Sequence, residues 1–192
     1  MAQPKSALTE PTNAPSDEWP QFTYSNGVLS ASSVLQLHDE DIVAVSGAEA
    51  KEEGFQILSL AKVEGAPDAI SKPPPFELLI TKAANLPEEF LSKYLIEDLP
   101  IHLQPSHELQ VIISKLSGTG LATGFFDEIL KPVLQTFSID ESRYTVVRTE
   151  TSKSVLDHAK DSLLRSANGG INQTVVVLSG DGGVVDIING LT

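Results

Sequence analysis

The segment Thr174–Leu178 (TVVVL) constrains this chain most, because three consecutive valines cannot all turn inward on a sheet with one wet face. Such a run fits a strand buried on both faces, the usual condition of a parallel sheet covered by helices. The sequence before it supplies the matching units. Residues 109–114 (LQVIIS) read as a first strand, 117–120 (SGTG) as a glycine-bearing turn, and 125–134 (FFDEILKPVL) as a helix with Pro132 near a kink or break. A second strand at 144–149 (YTVVRT) leads to a helix over 154–167. Its buried stripe is Val155, Leu156, Ala159, Leu163 and Leu164, and Asn168-Gly169-Gly170 is its stop signal. After the third strand comes the turn 179–183 (SGDGG), with a third helix beginning at 184–189 (VVDIIN). Strand and helix in strict alternation predict an α/β fold, a partial parallel sheet with right-handed crossovers across residues 109–192.

The first half has a different texture. Residues 1–20 carry Pro4, Pro11, Pro15 and Pro20 among small polar residues and read as a disordered arm. Residues 21–82 read as a small, mostly β element. Asn26-Gly27 suits a tight hairpin turn, apolar runs lie at 42–45, 55–60 and 76–80, and loops fall at 49–54 and at the proline-rich 65–75. Residues 83–108 read as a helix and connector: Phe90, Leu91, Tyr94 and Leu95 sit at helical spacing within 86–99, and Pro100 and Pro105 follow.

Composition removes several functions. The net charge of -13 opposes nonspecific nucleic-acid binding, which needs clustered Lys and Arg to displace counterions. With no cysteine, thiolate metal sites and disulfides are excluded, and His38, His102, His107 and His158 form no ligand pair on one helical face. No metal-ligating residue is therefore assigned. No stretch reaches the roughly 18 apolar residues of a membrane span, and no basic segment leads into an apolar run at the start. The expected residence is cytoplasmic, with peripheral membrane contact in the intact protein.

The chemistry concentrates in the turns after the strands, since ligands of open α/β sheets bind beyond the strands' carboxyl ends. At 179–183 the glycines permit a sharp turn and close approach, and the helix that follows aims N–H groups and its positive dipole end at the same place. Asp181 is out of character in an anion cradle unless it meets a metal, a proton or a hydroxyl. The structural alternative makes it the N-cap of that helix. The first turn lacks the lysine of a P-loop and is not a GxGxxG motif.

Residues 111–122 (VIISKLSGTGLA), 125–134 (FFDEILKPVL) and 178–191 (LSGDGGVVDIINGL) resemble the N-terminal half of the diacylglycerol kinase catalytic family, nearest its sphingosine and long-chain-base kinase branch. The resemblance implies an ATP-dependent lipid kinase, using magnesium through the nucleotide, that phosphorylates a hydroxyl of a sphingoid base or diacylglycerol-like lipid. It implies that Asp181 activates the acceptor hydroxyl. Nucleotide contacts would come from Ser114, Lys115, Leu116, Ser117, Gly118 and Gly120 of the first loop, and from Ser179, Gly180 and Gly182 of the signature. Thr149 is the natural match to the family's second-strand threonine, with Thr151 the alternative. The sequence departs from the family in Ser114-Lys115 where Asn-Pro is usual, in Gly183 where threonine or leucine is frequent, and in Asp186 where glutamate is usual. Relatives continue with further strands and a β-rich lipid-binding domain, so the chain reads as a truncated module, inactive alone. A noncatalytic nucleotide-binding or protein-interaction scaffold is the competing reading. A nicotinamide-nucleotide kinase or phosphofructokinase relative, sharing only the glycine–aspartate–glycine turn, is a third.

Overall fold

A computed structural model describes residues 20–31, 35–47, 54–63, 75–114 and 120–192. The arm at the start, most of the loops at 49–54 and 65–75, and positions 115–119 lie outside the described residues. Mixed α/β architecture is present as the alternation requires, with one antiparallel and one mostly antiparallel sheet in the first half and a parallel sheet in the second.

The first half is built on β1 (Phe22–Ser25), β2 (Val28–Ala31) and β3 (Leu35–His38), then β4 (Ile42–Gly47), β5 (Phe55–Lys62) and β6 (Phe76–Ala83). β1 and β2 form the hairpin expected from Asn26-Gly27, whose φ angles of 54° and 76° are both positive as a two-residue turn of this hand demands. The helix expected over 86–99 is shorter: α1 spans Glu88–Tyr94, and Leu95–Ile96 become β7, parallel to β4. Sheet pairing outcompetes the last helical turn there. Phe90, fully buried, packs with Leu29, Val45, Ile57 and Ala83, so α1 completes the core of the β element. Tyr24 and Tyr94 flank Phe90 at ring distances of 5.4 and 4.9 Å. Above them Tyr24 Oη donates to the Asp39 carboxylate, and Lys93 pairs with the same group. That pairing holds the Asp39 carboxyl below its ordinary range.

The second half carries β8 (Glu108–Ser114), β9 (Tyr144–Thr149) and β10 (Gln173–Leu178), all parallel, with β8 in the middle. From β8 the chain passes through α2 (Ala122–Phe125), a π turn (Phe126–Leu130) and α3 (Lys131–Thr136) to β9. The expected disturbance at Pro132 takes the form of this π turn. Lys131 N–H bonds back to Phe126 C=O, and the widened turn makes Pro132 an initial residue of α3, where its missing N–H is tolerated. From β9 the chain crosses β8 through α4 (Ser152–His158), a second π turn (Ala159–Leu163) and α5 (Leu164–Asn168) to β10, and it ends on α6 (Asp181–Gly190).

The alternation of β8 sorts these helices. Leu109, Val111 and Ile113 pack with Phe126, Leu134 and Tyr144 on one face, whereas Ile112 packs with Val155, Ala159, Leu163 and Ile187 on the other. The two crossovers therefore cover opposite faces. Such a reversal makes a topological switch point between β8 and β10, the position beyond the strands' carboxyl ends where open α/β sheets bind their ligands.

Candidate functional site

Three hydroxyl residues lie on one line across that carboxyl edge. Ser114 pairs in register with Thr149, and Ile113 pairs with Leu178, which brings Ser179 to the next step of β10. Val147, Ile112, Val175 and Val177 face α4 and α6, so the strand period of two places Thr149, Ser114 and Ser179 on that same face. Ser114 and Thr149 are buried, at 7% and 3% exposure. Among the described residues the hydroxyl of Thr149 has no hydrogen-bond partner, a state shared by Ser59 Oγ and Tyr144 Oη elsewhere in the fold. A buried hydroxyl in that condition forfeits about 1–3 kcal/mol of desolvation unless a ligand or water meets it, and Thr149 is the one of the three that lies at the carboxyl edge of the parallel sheet.

Thr151 has a different occupation. It is exposed and caps α4, its Oγ1 accepting from Ser154 N–H at 3.1 Å and lying 2.7 Å from Ser154 Oγ. Of the two threonines at the end of β9, only Thr149 therefore has an uncommitted hydroxyl.

The signature turn is tighter than the sequence suggests. The helix begins at Asp181, not near Val184, and Gly180 holds the cap position with extended backbone and no side-chain bond. The reading of Asp181 as N-cap is thereby corrected: it is the first helical residue, and its side chain is exposed. Asp181 and Gly182 are the first two residues of α6, whose N–H groups have no carbonyl partner within the helix, while Gly183 N–H returns to Gly180 C=O at 3.0 Å. A Cβ on Gly182 would meet nothing within 4 Å, which leaves room for a ligand to approach the backbone. A Cβ on Gly183 would overlap Ser179 Oγ and Cβ. Glycine at 183 is thus required by the inward-facing Ser179. At the other end Gly190 sits against Ala159, where a Cβ would overlap. These two glycines seat α6 directly on the sheet and on α4.

Among the first-loop candidates, Lys115, Leu116, Ser117 and Gly118 lie outside the described residues. Gly120 is exposed with φ of 76°, a left-handed conformation that leads the chain into α2. The structure thus brings Ser114, Thr149, Ser179, Gly180, Asp181 and Gly182 to one edge. On the opposite face of the sheet Arg148 is engaged elsewhere, 3.1 Å from Asp127 and stacked 5.5 Å from the Phe126 ring. No cluster of metal-ligating side chains occurs among the described residues.

A second polar group escaped the sequence reading. Gln110, buried inside the apolar strand β8, has Oε1 2.9 Å from His158 Nε2, and Gln173 Nε2 donates to Leu163 C=O at 2.8 Å. Desolvation lowers the His158 pKa. The signal was available, since a glutamine in an otherwise apolar run must find a partner once buried. This group stands toward the amino ends of the strands, away from the hydroxyl line.

Comparisons of the chain with protein-family models, with curated proteins and with solved structures return no match.

Proposed function

We propose that the carboxyl edge of the parallel sheet binds the phosphates of ATP, and that the chain is the nucleotide-binding part of a kinase that phosphorylates a lipid hydroxyl. The observation that carries the reading is the unpartnered hydroxyl of Thr149, buried in register beside Ser114 where the sheet order reverses. A phosphate oxygen is an acceptor such a donor would meet. The N–H groups of Asp181 and Gly182 supply further donors, and the α6 dipole favours the negative charge. The residues present fit a polyphosphate, and magnesium bound to that phosphate would offset the repulsion from Asp181. The group supplies the transferable phosphoryl, while the chain's own residues position it and neutralise charge.

Asp181 suits the acceptor side of this reaction. Its exposed carboxylate, on the first turn of a helix whose N–H groups face the phosphates, accepts a proton from an incoming hydroxyl. The lipid class, a sphingoid base or a diacylglycerol-like alcohol, rests on the resemblance of residues 111–134 and 178–191 to the lipid kinases. No helix among the described residues is long and apolar enough to cross a membrane.

Calorimetric titration with ATP, with and without magnesium, tests the nucleotide site, and Asp181→Asn tests the acid–base role. The variant is expected to keep ATP binding, and to tighten it without magnesium because a negative charge has gone. Phosphoryl transfer to long-chain base or diacylglycerol by a preparation active with the natural residue is expected to vanish. Absence of binding at millimolar Mg-ATP would favour the scaffold reading, and transfer that survives Asp181→Asn would remove Asp181 from its role.

A further inference from the structure

The three strands of the parallel sheet carry one cation between them, Arg148, which stands next to Thr149 on β9. It pairs in register with Ile113, so its Cα lies one residue, about 3.3 Å, short of Thr149 at the carboxyl edge and within the length of an arginine side chain from it. Its guanidinium is nevertheless drawn aside onto the first crossover. There Nη2 donates to Asp127 Oδ1 at 3.1 Å, and the group lies 5.5 Å from the ring of Phe126. The two anchors differ in kind. Phe126 is fixed in the core at 3% exposure, whereas Asp127, on the π turn between α2 and α3, has half of its side chain in solvent.

The hold on Arg148 is slight. A guanidinium and a carboxylate can share two parallel hydrogen bonds, and this pair makes one between partly exposed groups, an arrangement that contributes little to stability. Phosphate is the stronger claimant, because the guanidinium fork matches two of its oxygens at once. The surroundings make such a cation valuable: Glu150 follows Thr149, Asp181 opens α6, and the whole chain carries a charge of -13. Backbone N–H groups orient a polyphosphate but leave most of its charge in place. Lys153, on the first turn of α4, is a second cation near this edge, yet its ammonium is a point charge without the fork.

We infer that Arg148 is a phosphate-contacting residue of this edge and that Asp127 is its latch. Without nucleotide the carboxylate holds the guanidinium on Phe126; a phosphate arriving beside Thr149 takes it over. The inference rests on the reading of the edge as a phosphate site and adds to that reading a residue from the opposite face of the sheet. Its consequence is a competition. Asp127 and phosphate draw on the same guanidinium, so the latched population lowers the apparent affinity for nucleotide, and releasing the latch raises it.

Calorimetric titration of the 192-residue chain with Mg-ATP, run as a double-mutant cycle, tests the inference. Arg148→Gln is expected to weaken binding by about 10-fold or more, the loss of a charge-assisted hydrogen bond. Asp127→Asn, which keeps the shape and removes the charge, is expected to tighten it by about 3-fold or more. In the Arg148→Gln background the same Asp127→Asn change is expected to have no effect. That arm separates a latch from plain repulsion between Asp127 and phosphate, which would persist without the arginine. Circular dichroism on each variant checks that the fold is kept, as the exposure of both side chains leads one to expect. Lys153→Gln removes an equal charge from α4, and a loss equal to that of Arg148→Gln would reduce Arg148 to a share of the general field and overturn the inference. Indifference to Arg148→Gln, or a gain from Asp127→Asn that survives in the double variant, would overturn it and leave the phosphate site standing. If no form of the chain binds millimolar Mg-ATP, the phosphate reading falls and the inference falls with it.

Discussion

Replacing Thr149 by valine should make the free protein more stable and its nucleotide binding weaker. Both side chains are branched at Cβ and suit a strand, so β9 keeps its register with Ser114. What changes is one buried hydroxyl with no partner, at 3% exposure. Leaving such a group unmade costs about 1–3 kcal/mol, so its removal should stabilise the fold by about that amount. For a chain of this length each kcal/mol moves Tm by about 2–4 °C, a shift that calorimetry in the absence of nucleotide resolves. With ATP the sign reverses. A hydrogen bond to a charged phosphate is worth about 1.5–3 kcal/mol, and its loss weakens binding about 10- to 100-fold. A hydroxyl serving only the fold would give destabilisation on substitution, and an idle one would give stabilisation without any change in affinity. Either result refutes the reasoning, because only a ligand-facing donor couples a gain of stability to a loss of binding.

Gly183→Ala should destabilise by about 1–3 kcal/mol in urea titrations, since its new Cβ would press on Ser179, whereas Gly182→Ala, with nothing in the way, should be neutral or gain up to about 1 kcal/mol. Equal effects at the two positions would contradict the close seating of α6 on Ser179. The His158 environment predicts a pH dependence: burial lowers its folded pKa, so below the ordinary value of about 6.5 the unfolded chain binds the proton more readily. Urea midpoints should therefore be flat above about pH 7.5 and fall toward pH 5.5, a limb that His158→Gln should flatten; a midpoint that rises on acidification would refute it.

The second half of the fold was legible because its signals were local. Three valines in Thr174–Leu178, the β-branched run at 109–114 and the helical stripe of Val155, Ala159 and Leu163 each report burial through their own spacing. β9 has the bounds the sequence predicts. The hairpin at Asn26-Gly27 was equally plain, since positive φ at two successive residues needs that chemistry. Element ends were less so. Leu95 and Ile96 carry apolar spacing that suits a helix, yet they pair with Val45 and Ser46, remote in sequence. Pro132 announced a disturbance without saying that a π turn would absorb it.

By itself the sequence determined that strands and helices alternate in the second half, that its sheet is parallel, and that the 179–183 turn leads from the third strand straight into a helix. Those facts follow from hydrophobic period and turn chemistry within short windows. Only the tertiary structure decided the strand order, with β8 between β9 and β10. It also decided that Thr149 lies buried beside Ser114, while Thr151, two residues on, caps a helix at the surface. Order and register depend on which strands meet across long stretches of chain. Residue type at one position carries no record of that, so the orphaned hydroxyl of Thr149 becomes visible only once the sheet has closed around it.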